Sequence, residues 1–235
     1  RLTGRWFVTI INVAANQNRW LLEVSDAASN GVISGSTVWT GYFFQPATVT
    51  PVPTNSTTMF SDYPTLSVDA NALYVGVNEF AGSGQPFQQT DAFVIRKSSV
   101  LSGGPIVVTA FRALMSSPAV GGTYAGPYAV RGADNMDPSS NEGYMIGSDG
   151  NSWGNFWLVR IATPGGTPTM TQQMIPVLAE NWTRPVVHPG NTGGYWGYLD
   201  NLDDRYFQAT VRNQQLWTVH NIDVDNTGVS QGTYT

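Results

Sequence analysis

Apolar residues along this chain fall in short runs rich in β-branched and aromatic types, each closed by Gly, Pro, Asn or Asp. The clearest case is Phe60 to Phe80, FSDYPTLSVDANALYVGVNEF. Tyr63 to Val68 alternates loosely. Asp69-Ala70-Asn71 supplies a turn, because Asp and Asn side chains bond backbone close to themselves. Leu73 to Val77 is a run suited to a pleated, half-buried surface. No stretch of helical length free of Gly and Pro carries apolar residues at i, i+3, i+4 and i+7. The pattern predicts an all-β fold.

Four strand types recur in fixed order. Type a covers residues 63–70, 128–134 and 185–191; type b covers 7–11, 73–77, 144–148 and 206–211. Type c covers 21–25, 93–97, 156–161 and 216–222; type d covers 39–45, 105–114 and 169–178. Starts of type c lie 72, 63 and 60 residues apart (21 to 93 to 156 to 216), and starts of type d lie 66 and 64 apart (39 to 105 to 169). A four-stranded unit at near-constant period predicts a β-propeller of four-stranded antiparallel blades. The blades are expected near 1–45, 60–114, 128–178 and 185–225, in one domain spanning 1–235. A β-sandwich or jelly roll is the alternative. The first unit lacks strand a and the last lacks strand d. The expectation is therefore four blades with incomplete edges or, preferred, part of a five-bladed ring completed by residues beyond both ends. The chain begins at Arg1, close to the strand signal Trp6 to Ile11, and reads as processed or as a piece of a longer protein.

Composition narrows the partners. Charged residues make up 11% of the chain, against roughly 25% in ordinary domains. Lys97 is the single lysine, and the net charge is -5 with no basic cluster. That argues against nucleic acid, which needs a cationic footprint, and against an anionic membrane surface. There is no cysteine, so disulfides and Cys-based zinc sites are excluded. No apolar run approaches the length of a spanning helix. Low Lys with abundant Asn, Thr and Gly suits a secreted or cell-surface protein.

The words GRWFVTI (4–10), FSDYPTLSVDANALYVGVNEF (60–80), DAFVIRKSSVLSGGP (91–105) and QLWTVHNIDVD (215–225) resemble secreted bacterial β-propeller repeat proteins of largely uncharacterised function. Those proteins carry a similar F-x-D-Y-P segment and a strand followed by residues like Arg96 to Leu101. The resemblance covers most of the chain. It implies a propeller and carries over no catalytic residue.

Strand a lines the central channel of a propeller. Asp62, Asp134 and His188 sit on or near successive a strands and are expected to meet at one mouth of that channel as a ligand site. For Asp62 the first reading is a structural tie at the strand entrance, ahead of a ligand role. Residues 134–142, DNMDPSSNE, form the most oxygen-rich loop. Asp134, Asp137 and Glu142 are its candidate calcium ligands, since hard cations take carboxylate and carbonyl oxygens. Residues 223–228 are a weaker calcium candidate, and both loops also read as Asx-turns. Glycoside hydrolysis needs two carboxyls across a scissile bond, and Asp62, Asp134, Glu142, Asp200 and Glu79 are the candidates. Gly150-Asn151-Ser152-Trp153-Gly154 matches G-x-S-x-G, but a strand rather than a helix follows, so a hairpin loop is expected. Tyr195, Trp196 and Tyr198, set among glycines, are expected to form an exposed contact surface for a glycan or protein.

The preferred reading is an extracellular binding or structural propeller that displays loops to a glycan or an extracellular protein. A carbohydrate-active enzyme, hydrolase or lyase, with carboxylates at the channel mouth is the alternative. A third is a subunit of an extracellular assembly paired through open blade edges.

Overall fold

The computed structural model describes residues 2–13, 18–53, 59–82, 85–152, 154–177, 183 and 186–223. Strands hold 50% of the residues and helix 8%, which makes the chain all-β. The first sheet is antiparallel and three-stranded: β1 (Phe7–Asn12), β2 (Arg19–Ser25) and β3 (Trp39–Phe44). The second holds β4 (Phe60–Val68), β5 (Ala72–Phe80), β6 (Phe87–Arg96) and β7 (Val108–Ser116) in sequence order, all antiparallel. The third holds β8 (Pro127–Gly132), β10 (Glu142–Asp149), β11 (Asn155–Ala162) and β12 (Thr169–Pro176), again antiparallel. In the fourth, β13 (Gln208–Arg212) pairs antiparallel with β14 (Gln215–Val219) and parallel with the two-residue β9 (Asp134–Asn135). The one α-helix among the described residues is α1, Lys97–Leu101.

The sheets stack face to face in sequence order. Trp20, Leu22, Val24 and Phe44 of the first sheet pack on Leu73, Val75, Val77, Phe93 and Ile95 of the second. The other face of the second sheet, Ala72, Tyr74, Ala92 and Val94, packs on Val130, Met145, Val159 and Ile161 of the third. The third sheet in turn meets Tyr206, Ala209, Val211 and Leu216 through Ile146, Tyr144 and Phe156. Each large apolar side chain so buried stabilises the stack by about 1.5–3 kcal/mol. The sequence pattern predicts a half-buried β5. The strand is instead buried along nearly its whole length, because sheets cover it on both faces. No closed ring of sheets forms among the described residues.

At one edge of the stack β4 and β8 run side by side. Thr65 Oγ1 donates to Val130 O at 3.0 Å, and Ser67 Oγ donates to Gly132 O. Among the described residues of 185–191 the predicted strand does not form. Its described part makes a single bridge, Val186 to Leu199. Pro189 and Gly190 break the run, and the edge of β13 is taken instead by Asp134 and Asn135.

Polar groups in the second sheet are paired across strands. Asp91, fully buried, accepts from Arg112 Nη1 and Gln89 Nε2 at 2.7 Å and from Ala113 N at 2.8 Å. Glu79 is as buried, yet among the described residues its oxygens are hydrogen-bonded only by the Ser61 hydroxyl, at 2.7 and 2.8 Å. Burial favours the proton on both carboxyls, and Asp91 with three donors is the one that stays ionised. Burial first, then the Asp91 anion, push Glu79 up to about 8 from 4.5. A carboxyl with a raised folded-state pKa adds stability that is whole below its unfolded value and lost as pH rises through the folded one. The urea midpoint should therefore fall between pH 4.5 and about 8. Glu79→Gln, which keeps a neutral group there, should flatten that fall. An unchanged slope in the variant would assign the dependence to other groups.

Candidate functional site

The starts of β4 and β8 carry matching irregularities. β4 is bulged between Asp62 and Thr65, with Tyr63 at φ 53. β8 pairs with β10 across a register shift between Ile146 and Ser148, with Ala129 at φ 46. Tyr63 and Tyr128 are turned so that one guanidinium covers both: Arg205 lies 4.5 Å from the first ring and 5.3 Å from the second. Arg205 also pairs with Asp203 at 2.7 Å. These contacts pin residues 203–206 across the ends of the two strands.

The pinned segment turns Asp204 inward, leaving it 5% exposed. It lines a pocket of about 190 Å³ with Phe87, Met115, Tyr124, Tyr128, Ser148 and Asp149. Phe87 stacks on Tyr124 with ring centroids 6.3 Å apart and meets Tyr128 edge-on at 5.8 Å. Asp149 is tied down: Oδ1 accepts from Trp157 Nε1 at 2.9 Å and from Gly126 N at 3.4 Å, while Oδ2 accepts from Ser152 Oγ at 2.8 Å. Asp204 differs, since its Oδ1 is buried with no hydrogen-bond partner. Ser148 Oγ faces the carboxyl and favours its charged form, but outside bonding geometry. Burial first, then the Asp203 carboxylate, raise the Asp204 pKa to about 6. His220 approaches from behind, its Nδ1 3.1 Å from Asp204 O.

The residues singled out in the sequence do not gather at one place. Asp62 stands exposed at the start of β4, its Oδ1 accepting from Tyr63 N. Asp134 lies at the other end of β4, where its Oδ1 accepts from Val68 N at 2.9 Å. The five steps of β5 from Asn78, opposite Asp62, to Leu73, opposite Val68, separate the two by about 17 Å. Asp134 thus holds strands together, and burial raises its pKa. His188 lies outside any strand, its Nδ1 3.1 Å from Pro189 O. Asp62 and Asp134 therefore do not meet at one mouth.

The calcium trio is also apart. Asp137 Oδ1 accepts from Ser139 N and Oγ, an Asx-turn, and Glu142 pairs with Arg160 at 2.7 Å and with the Tyr144 hydroxyl. Among the described residues no three His, Asp or Glu side chains are grouped to hold a metal. Asp223 is described, while residues 224–228 of the second loop are not. Asp200 is exposed and caps Leu202 N, and Glu79 is sealed in the second sheet. Ser152 sits in the hairpin between β10 and β11, as its sequence context indicated, and Asn155 Nδ2 donates to it. Residues 194–197 form a 3-10 turn followed by the exposed Tyr198; the side chains of Tyr195 and Trp196 lie outside the described residues.

A larger open cleft of about 780 Å³ runs between the third and fourth sheets, past Asn135, Asp137, Tyr144, Arg212 and Leu216. Its carboxylate, Asp137, is already engaged by Ser139, so the smaller pocket holds the more telling chemistry. Sequence reasoning passed over Asp204 and Asp149. One signal was present: Asp203-Asp204-Arg205 is a run of three charged residues in a charge-poor chain. No family model, no curated protein and no solved structure matches the chain.

Proposed function

We propose that the chain is a β-propeller-type binding module of the extracellular space, and that its pocket at the starts of β4 and β8 receives one ring of a glycan. The observation that carries this reading is a pocket lined by Phe87, Tyr124 and Tyr128 together with Asp204, whose buried Oδ1 has no hydrogen-bond partner. Aromatic faces stack on sugar rings, and a carboxylate accepts from their hydroxyls. The succession of sheets packed face to face, with β4 and β8 adjacent along one edge, supports the propeller arrangement. So does the exposure of Val8, Ile10 and Phe43 on the first sheet and of Trp217 and Val219 on the fourth. Such faces are where neighbouring sheets of a ring pack, in this chain or another.

Saturation-transfer NMR with a panel of monosaccharides tests the pocket. Transfer should be seen with at least one sugar and should fall in Tyr124→Ala, an exposed position whose loss leaves the core intact. No transfer with any sugar, or transfer untouched by that change, overturns the reading.

One observation favours a second reading, a glycoside hydrolase. Asp149 and Asp204 line the same pocket, and Asp204 holds its proton more tightly than an ordinary carboxyl. Both Asp149 oxygens are already engaged, which places binding first. Release of reducing ends from an oligosaccharide, abolished by Asp204→Asn, would reverse that order.

A further inference from the structure

We infer that the pocket selects a sugar bearing a free amine, its ammonium set against Asp204 Oδ1 and its ring against Phe87, Tyr124 and Tyr128. This rests on the glycan reading above and adds the charge of the ligand to it.

The first reason is an acceptor without a donor. Buried polar atoms are nearly always bonded, and an unpaired buried carboxylate oxygen is costly. Asp204 Oδ1 is such an atom, and its residue lines the pocket. Ser148 Oγ faces the carboxyl outside bonding geometry, and the other donors around it are spent elsewhere. Arg205 places Nε 2.8 Å and Nη2 2.7 Å from Asp203 Oδ2, with its face on the two tyrosines. His220 turns Nδ1 to the Asp204 backbone, and the donors near Asp149 serve that residue.

The second reason is net charge. Asp149 and Asp204 line the pocket, and the Asp203–Arg205 ion pair lies beside Asp204. Three carboxyls against one guanidinium leave an excess of negative charge there. A hydroxyl would give Asp204 a neutral hydrogen bond. An ammonium brings three donors and the missing charge, and charge-assisted bonds are roughly twice as strong as neutral ones. Asp204 takes up a proton near pH 6. Amine binding should accordingly weaken as pH falls through that value, with Asp203, Asp149, Arg205 and His220 as the other ionisable groups facing the site.

Titration calorimetry of the full chain at neutral pH with glucosamine, glucose, N-acetylglucosamine and tetramethylammonium decides the matter. Glucosamine should bind at least about tenfold more tightly than glucose or N-acetylglucosamine. In Asp204→Asn that preference should vanish, and in Tyr124→Ala all sugars should weaken together. Equal binding of the three sugars overturns the amine while leaving the glycan pocket standing. Tetramethylammonium bound without any sugar, or no binding at all, overturns both readings. A preference that survives in a folded Asp204→Asn removes Asp204 from the recognition. Should that variant fail to fold, the comparison of ligands on the unaltered chain still tells an amine site from a neutral one.

Discussion

Asp69→Ala should lower the unfolding free energy by about 3–5 kcal/mol, the range for breaking a buried charged network by deleting one partner. Asp69 closes the turn between β4 and β5 and is 1% exposed. Its Oδ1 accepts from Asn71 N and Ala72 N, both at 2.7 Å. Its Oδ2 accepts from the hydroxyl of Tyr74, a fully buried residue, at 2.5 Å. The only lysine of the chain, Lys97, donates Nζ to the Asp69 backbone oxygen and lies 5.8 Å from the Phe7 ring of the first sheet. Truncation to Ala strands two amides and a phenol in the core and leaves the 3% exposed ammonium without its counter-charge. Burial already lowers the Lys97 pKa, against the pull of Asp69, so the stranded ammonium would shed its proton more readily still. Urea denaturation checks the magnitude. Tyr74→Phe, which removes one of the bonds, should cost about 1 kcal/mol, and in the double variant it should cost less because its partner is gone. A loss below about 1 kcal/mol in Asp69→Ala would mean that the turn is held by something other than these bonds.

The same turn shows what the sequence made legible. Asp69-Ala70-Asn71 was readable because an Asx side chain bonds amides only two or three residues ahead, a local rule. Strand positions were readable for a similar reason: β-branched and aromatic runs stopped by Gly, Pro and Asn mark nearly every strand of the four sheets. Boundaries were less so. β6 starts at Phe87, six residues before the apolar run at Phe93, because Gln89 and Asp91 are buried polar residues satisfied by distant partners. The expected strand at 185–191 failed where pairing depended on a competitor, since the parallel ladder of Asp134 and Asn135 holds that edge of β13. The pocket was the least legible feature. Phe87, Met115, Tyr124, Tyr128, Ser148 and Asp204 come from four separate stretches, and only the stacking of sheets brings them together. Asp134 misled in the opposite sense. Its position at the end of a strand suggested a ligand, whereas its carboxylate is used to tie β9 to Val68.

Gly76→Ala should be the most damaging single methyl in the chain. Gly76 lies mid-strand in β5, in the run Tyr74-Val75-Gly76-Val77, and glycine inside a strand marks close approach by another backbone. Here the approach is by β8. A Cβ at Gly76 would stand 1.9 Å from Val130 O and 2.7 Å from Val130 Cγ1. That carbonyl is held in place, since Thr65 Oγ1 donates to it and in turn accepts from Gly76 N at 3.1 Å. Neither strand has room to yield. β5 is packed by the first sheet on its other face, and β8 is paired to β10. Overpacking costs about 1–3 kcal/mol where side chains can rearrange; a clash between two fixed backbones should exceed about 3 kcal/mol and lower the melting temperature by about 6–12 °C in a chain of this size. Gly35→Ala is the matched control: nothing lies within 4 Å of its Cβ and its φ is not positive. That change should stay within about 0.5 kcal/mol of the parent. Thermal melts of the two variants side by side settle it. A Gly76→Ala midpoint within about 2 °C of the parent would show that the second and third sheets do not meet as closely as this contact requires.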